Sequence, residues 1–207
     1  MLSRPTVVVL AAGKGSRFTG SAHKLEQSLG DLSVLGSTLR SAIESHLPVV
    51  VVVTQALATS ASRIVAARDV VVVPQELAAL GMGHSIAAGI AARADAPGWL
   101  LLPGDMPMVK PATLLAVAAA LEQHPVAYAQ YQGRRGHPVG FAAELYSELM
   151  MLSGDEGARR IIARYPAVGV DVDDPGVLLD LDTEADLVAM RALHEATRAR
   201  PGAAGNG

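Results

Sequence analysis

The sequence predicts an α/β fold, a three-layer α/β/α sandwich around a mostly parallel sheet. Three observations lead there. Residues 7–10 (VVVL), 49–53 (VVVVV), 70–73 (VVVV) and 99–102 (WLLL) are continuous apolar runs of the kind that fill strands buried on both faces. Between them lie longer stretches whose apolar residues recur at helical spacing, and strand–helix alternation implies parallel pairing with right-handed crossovers. Finally, two of the strand-like runs end in small, glycine-containing loops that carry charge, which is how open α/β sheets build ligand sites beyond the carboxyl ends of their strands.

The first of these loops dominates the chain. After Val7 to Leu10, the residues Ala11, Ala12, Gly13 and Gly15 strip away side-chain bulk, so a ligand can approach the backbone closely. Exposed N–H groups in such a loop favour negative charge, and Lys14, Arg17 and Lys24 add cations, so the natural guest is a polyphosphate. Arg17 offers a planar fork for phosphate oxygens and Lys24 a mobile point charge. A P-loop is excluded because Lys14 is followed by Gly15 rather than Ser or Thr. A dinucleotide fingerprint fits only in part: Gly13 and Gly15 supply two glycines, Phe18 stands in place of the third, and Thr54 follows the next strand where a ribose-binding acid would be needed. The plain alternative is a strand-to-helix turn with solvated charges.

Taken in order, residues 34–47 form a helix stopped by Pro48, 49–53 a strand, 56–67 a helix and 70–73 a strand. Gly81 and Gly83 precede a helix running to about Arg93 and would let a ligand close to its N-terminus; Ser85 is either its cap or a contact to the ligand's base, and residue type favours the cap. The strand 99–102 runs into Pro103, Gly104, Asp105, Met106 and Pro107. Asp105 thus faces the crevice and sits where a hard cation such as Mg²⁺ would, which needs only one or two carboxylates beside substrate phosphates; the bland reading is a turn former. A helix over 111–123 begins with Pro111, and 126–131 is a strand. The next loop, 132–138 (QGRRGHP), gathers Arg134, Arg135 and His137 between glycines; it either receives the second substrate or is a solvated hairpin tip. Residues 154–165 predict a helix whose Asp155 and Glu156 suit its N-terminus and whose arginines suit its end, with Asp155 as a second metal ligand the alternative. After a strand at 168–172, residues 177–182 (VLLDLD) alternate, placing Asp180 and Asp182 on one face and Leu179 and Leu181 on the other. Thr183 caps a final helix, 184–199.

At 207 residues the chain suits a single domain, 1–199, followed by a small polar tail, 200–207, expected to be disordered. Half the residues are hydrophobic but only 3% are aromatic, so Ala, Val and Leu must build the core. A net charge of −3 argues against a nucleic-acid partner. The absence of cysteine excludes disulfides, thiolate metal sites and a thiol nucleophile, and the six histidines show no metal-binding spacing. No stretch approaches the roughly 18 apolar residues of a membrane span, and the first apolar run is too short for a signal peptide, so a cytoplasmic protein without a membrane partner is expected.

In this order the motifs LAAGKGSRF with Lys24, GMGHS (81–85), PGDMPMV (from Pro103), RGHPVGF (from Arg135), GDEGAR (from Gly154) and LLDLDTEADL (from Leu178) resemble the MobA-like NTP transferases, and among them the molybdenum cofactor cytidylyltransferases. The likeness spans nearly the whole chain; it departs from the family pattern at 25–35 (LEQSLGDLSVL), where the spacing after the lysine is only loosely kept. It implies a Rossmann-like nucleotidyltransferase domain. On this resemblance Leu10, Ala11, Ala12 and Gly13 hold base and sugar, Gly15, Arg17 and Lys24 hold the triphosphate, and Gly81, Gly83 and Ser85 lie near the base. Asp105 would bind Mg²⁺ with Asp182, or else Asp180, and Arg135, Gly136, His137 and Pro138 would face the acceptor. The implied reaction moves a nucleoside monophosphate, CMP foremost, from the triphosphate to a phosphate-bearing, molybdopterin-type acceptor and releases pyrophosphate, with a transfer partner expected for the finished cofactor. Two rival readings stand beside it: a flavin- or NAD(P)H-dependent oxidoreductase on the same fold, against which the missing ribose acid counts, and a nucleotide-binding module without chemistry.

Overall fold

A computed structural model describes residues 4–13, 18, 23–155 and 157–198. Its strands and helices run in the order β1 (Thr6–Ala11), β2 (Ser28–Leu29), β3 (Leu32–Ser33), α1 (Val34–Glu44), β4 (Val49–Val53), α2 (Gln55–Ser62), β5 (Val70–Val72), α3 (Gln75–Ala78), α4 (Met82–Ala91), β6 (Gly98–Pro103), α5 (Pro111–Ala120), β7 (Val126–Tyr131), β8 (Arg134–Ala142), α6 (Tyr146–Met150), α7 (Arg159–Arg164), β9 (Ala167–Asp171) and α8 (Glu184–Arg198). Seven strands form one sheet in the order β5-β4-β1-β6-β8-β7-β9, while β2 and β3 make a separate two-stranded ribbon. Every neighbour pair in the large sheet is parallel except those of β8, which runs against both β6 and β7. The expected α/β sandwich is therefore what forms.

Strand pleat divides the core. Successive side chains of β1 point to opposite faces, so Val7, Val9 and Ala11 join Leu39, Leu57, Leu114 and Leu187 on one side of the sheet. Val8 joins Val50, Val52, Ile86, Ile90 and Trp99 on the other. Helices α1, α2, α5 and α8 thus cover one face, and α4, α6 and α7 the other. The aromatic content is low, but Trp99 and Phe141 are among the largest fully buried side chains. Among the described residues no helix is long and apolar enough to cross a membrane.

Three expected elements differ. The stretch 132–138 is not a loop: the hairpin closes in two residues, Gln132 and Gly133, both at positive φ as a tight turn of this hand requires, and Arg134 to Pro138 already belong to β8. The helix expected from Gly154 begins only at Arg159, with Ala158 before it; Gly154 and Gly157 adopt positive φ, which breaks the helical path, so Asp155 lies in the preceding loop rather than at a helix start. Residues 177–182 pair with no strand. A 3-10 turn, Pro175–Leu178, is followed by extended chain whose alternation nonetheless survives: Leu181 is fully buried and Asp180 exposed.

Asp174 explains that last departure. It is 2% exposed and accepts from the backbone N–H of Lys110 (2.8 Å), the Thr113 hydroxyl (2.6 Å) and the N–H of Gly176 (3.0 Å). The carboxylate therefore clamps the 3-10 turn to the start of α5, and a clamped turn cannot lie in a sheet. A buried charge survives only when its hydrogen bonds are made, and removing it leaves three donors without their acceptor. Asp174→Ala is expected to lose about 3 kcal/mol or more of stability in urea unfolding; a loss below about 1 kcal/mol would show that the clamp is dispensable.

Candidate active site

The chain order places a cleft beside β1. From β1 the strands proceed through β4 to β5 in one direction and then return to β6 on the other side of β1, and at such a reversal the loops beyond the carboxyl ends splay apart to form a crevice. The loop after β1 and the loop after β6 flank it. They are held together: the Gly104 N–H donates to the Leu10 carbonyl (2.8 Å), and the Gly104 carbonyl accepts from Thr38 Oγ1 of α1 (2.9 Å). A Cβ at Gly104 would stand 3.0 Å from that of Ala11 and 3.1 Å from the Leu10 carbonyl oxygen, so glycine lets Asp105 emerge close to the first loop without crowding it.

Asp105 meets two distant segments there. Lys24 Nζ lies 2.6 Å from Asp105 Oδ2, 2.8 Å from the Leu181 carbonyl oxygen and 3.5 Å from Asp182 Oδ1. The Leu181 N–H in turn donates to the Asp105 carbonyl (3.0 Å). The side chains of Lys24, Asp105 and Asp182 are 11%, 17% and 22% exposed, so the cluster is shielded yet reachable. Asp182 is presented by a capping box: the Asp186 N–H donates to Thr183 Oγ1, and Asp186 Oδ2 accepts from the Thr183 N–H (2.7 Å) and the Asp182 N–H (3.1 Å). The Thr183 side chain and N–H hold the Asp186 carboxyl below the usual carboxylate range. Asp180 is exposed as a residue, but partial burial of its carboxyl, the neighbouring Asp182 charge and, less, that of Asp105 raise its pKa.

Of the first loop, Leu10 is half-buried, Ala11 and Ala12 are buried, and Gly13 is exposed with open space where a Cβ would be. Lys14, Gly15 and Arg17 lie outside the described residues. Beyond this loop, His23 Nδ1 accepts from the Leu25 N–H (3.2 Å), capping the 3-10 turn Lys24–Glu26. Burial lowers the His23 pKa, against the pull of Glu26.

Helix α4 differs from expectation. Its cap position is Gly81 and Ser85 is already inside the helix, buried at 5% exposure, so Ser85 is not the cap. Gly81 and Gly83 are packed on the loop before α7: a Cβ on Gly81 would stand 2.1 Å from the carbonyl carbon of Gly154, and one on Gly83 would stand 2.6 Å from the Ser153 nitrogen. The Gly83 N–H donates to the Gly154 carbonyl (3.0 Å). These glycines therefore serve a backbone-to-backbone contact.

The far wall comes from β8. Tyr128 pairs with Val139 but Gln130 pairs with Arg135, so Ala129 alone faces residues 136–138 and the strand bulges there. Pro138 has no N–H for the ladder, and a bulge re-aims side chains. Gly136 and Pro138 are buried, His137 is half-buried, and the Arg135 guanidinium lies 4.8 Å above the Tyr128 ring. A Cβ on Gly136 would stand 2.2 Å from the Val177 carbonyl oxygen, which is how the turn anchored by Asp174 fits against this strand. Burial lowers the His137 pKa to about 4, Asp105 opposing and Arg135 and Arg159 assisting, so the imidazole and Asp105 share one electrostatic environment. Sequence reasoning had not singled out His23, Asp174 or Asp186. The Thr183–Asp186 spacing is a readable capping signal; the other two act through contacts that no local pattern announces.

Among the described residues no group of three or more His, Asp or Glu side chains forms a metal cage. Two carboxylates and a carbonyl oxygen around one positive charge are nevertheless a hard-oxygen donor set, which suits a divalent cation that completes its shell with water and phosphate.

The chain matches the MobA-like NTP transferase domain over residues 7–168. It is 32% identical over 196 residues to the purine catabolism protein PucB of Bacillus subtilis, a match covering 87% of this chain and 94% of that protein. It is 35% identical over 129 residues to the bifunctional protein GlmU of Cereibacter sphaeroides, covering 60% of this chain but only 28% of GlmU. Among solved structures, Rv0371c of Mycobacterium tuberculosis superposes with a TM-score of 0.80 at 29% identity, covering 92% of this chain and 99% of that one; the same mycobacterial protein is also known as a complex with manganese, at TM-score 0.76 and 28% identity, covering 92% and 99%. With the domain match covering most of the sequence and PucB aligned nearly end to end, the chain belongs to the MobA-like NTP transferase family, a family of nucleotidyltransferases.

Proposed function

We propose that this protein transfers a nucleoside monophosphate, CMP foremost, from a nucleoside triphosphate to a phosphate on a molybdopterin-type acceptor, with Mg²⁺ as cofactor. The observation that carries the reading is the convergence of Asp105, Leu181 and Asp182 on one cationic point beside the first loop, at the sheet's reversal. A transfer partner for the finished cofactor and a cytoplasmic location complete the proposal.

An acceptor phosphate oxygen attacks the α-phosphorus, the bond from that phosphorus to the bridging oxygen of the β-phosphate breaks, and pyrophosphate leaves. The nucleophile is already anionic at neutral pH, so no general base is needed. The protein's work is alignment and charge neutralisation. Residues Leu10, Ala11, Ala12 and Gly13 present backbone to the nucleotide, and its base lies near the Gly81–Ser85 segment. There Gly81 and Gly83 seat the backbone of residues 153–154 and Ser85 is buried in the helix, so that these three shape the pocket rather than touch the base. Gly15, Arg17 and Lys24 serve the triphosphate. Asp105 and Asp182 would hold Mg²⁺, which supplies charge neutralisation at the phosphates. Arg135, Gly136, His137 and Pro138 form the acceptor wall, where a neutral His137 can exchange hydrogen bonds without adding charge.

Pyrophosphate release measured with each of the four nucleoside triphosphates, Mg²⁺ and molybdopterin or its molybdenum-bound form is expected to be fastest with CTP; silence with all four would overturn the reading. Asp105→Ala should lower turnover at least about 100-fold while the circular dichroism spectrum is retained, and unchanged turnover would remove Asp105 from the site. The depressed pKa of His137 has a sign that can be checked. Between pH 4 and 6.5 the unfolded chain takes up a proton at this residue that the folded protein resists. Stability is therefore fully present above about pH 6.5 and falls toward pH 4, by up to about 3 kcal/mol from this group. In His137→Gln the pH dependence of urea unfolding should be flatter over that interval; identical slopes would mean that the imidazole is not desolvated.

A further inference from the structure

We infer that Lys24 is a displaceable counter-ion, whose ammonium holds the place of the divalent cation and is released to the triphosphate only when that cation arrives. This rests on the cation-site reading above and adds an order of events to it. An ammonium has three N–H donors and no acceptor. Here the neighbours of Nζ are the Asp105 carboxylate at 2.6 Å, the Leu181 carbonyl at 2.8 Å and the Asp182 carboxylate at 3.5 Å. All three are oxygens that a hard cation would also use, and with its donors so directed the ammonium has none to offer a phosphate. A divalent cation on the same oxygens would stand close to the ammonium and repel it, which favours departure of Lys24 when the cation binds.

Lys24 is suited to leave. Its charge sits on a flexible four-carbon stem, and the backbone from which it springs is held in a 3-10 turn capped by the His23 side chain. The oxygens stay in place as well: the Leu181 N–H is bound to the Asp105 carbonyl, and Asp182 is presented by the Asp186 cap. A mobile cation in a rigid oxygen cage is an exchange site. Before cation arrives, Lys24 neutralises two carboxylates that would otherwise repel each other; afterwards its positive charge is released toward the triphosphate. Cation and triphosphate then bind with positive coupling, since each favours the state in which Lys24 has left the acids.

The test uses the wild-type chain, and its sequence makes the test clean, because Lys14, Lys24 and Lys110 are its lysines. Acylation by an amine-reactive reagent is followed at each site by peptide mass spectrometry, with Lys110 as the internal reference and Mn²⁺ binding titrated in parallel. Lys24 should label slowly without a cation, at least about fivefold faster once Mn²⁺ alone is bound, and slowly again when a non-hydrolysable triphosphate is added with Mn²⁺. Lys24→Met should bind Mn²⁺ alone about tenfold more tightly than the wild type and gain less from the triphosphate. Bound Mn²⁺ with unaltered Lys24 labelling would make Lys24 a permanent strut and overturn the inference while leaving the cation site standing. Failure of the wild type to bind Mn²⁺, with or without triphosphate, would overturn the cation site and the inference together.

Discussion

Three oxygen acceptors, one from the middle of the sequence and two adjacent ones from near its end, close on the ammonium of Lys24. The contact joins the segment after the first loop to the loop after β6 and to the entry of α8, elements that the sheet alone would leave independent. Asp105 and Asp182 carry like charge, and holding them together without a cation would be costly in a partly shielded cleft. The lysine removes that cost, and the hydrogen bond from the Leu181 N–H to the Asp105 carbonyl fixes the geometry independently of charge. What the cleft offers a ligand among the described residues follows from this arrangement: hard oxygens held close together and, in Lys24, a cation on a flexible stem.

Support for the cage lies away from it. Asp174 clamps the 3-10 turn Pro175–Leu178 to the start of α5, the turn lies against the backbone of β8 because Gly136 has no side chain, and the extended chain beyond it delivers Leu181 and Asp182 to Asp105. The bulge at residues 136–138 serves the opposite wall, interrupting the ladder so that His137 leaves the regular strand path. On the other side of the sheet, Gly81 and Gly83 let the backbone at 153–155 press against the start of α4. Glycine is used at each of these places for close backbone approach, whereas beside the Cα of Gly13, in the first loop, the space is open.

Much of this was legible in one dimension. Continuous Val and Leu runs can be satisfied only by strands covered on both faces, so the sheet's central members and the helices between them follow from hydrophobic pattern. Glycines after β1 and an acid after β6 mark the crevice, because short strands ending in small residues leave backbone exposed there. The hairpin turn occupies only 132–133, although Gly133, Gly136 and Pro138 together suggest a longer loop by composition; Gly136 and Pro138 lie instead in a bulged strand, where they are buried. The helix start was misplaced at Asp155 because acidic residues suit a helix N-terminus; the positive φ of Gly154 and Gly157, which interrupts it, is invisible in composition. Residues 177–182 alternate like a strand, but Asp174 pins the turn that opens them to the start of α5, and they pair with no strand.

By itself, then, the amino-acid order determined the layered α/β architecture and the kinds of group facing the cleft, since both depend on local apolar periodicity and on residue chemistry. Only the tertiary structure decided that Lys24 meets Asp105 and Asp182, that Gly81 and Gly83 are covered by backbone, and that β8 bulges beside the acids. Those outcomes depend on which distant segments share a few ångströms of space, and spatial coincidence across more than 150 positions leaves no trace in neighbouring letters.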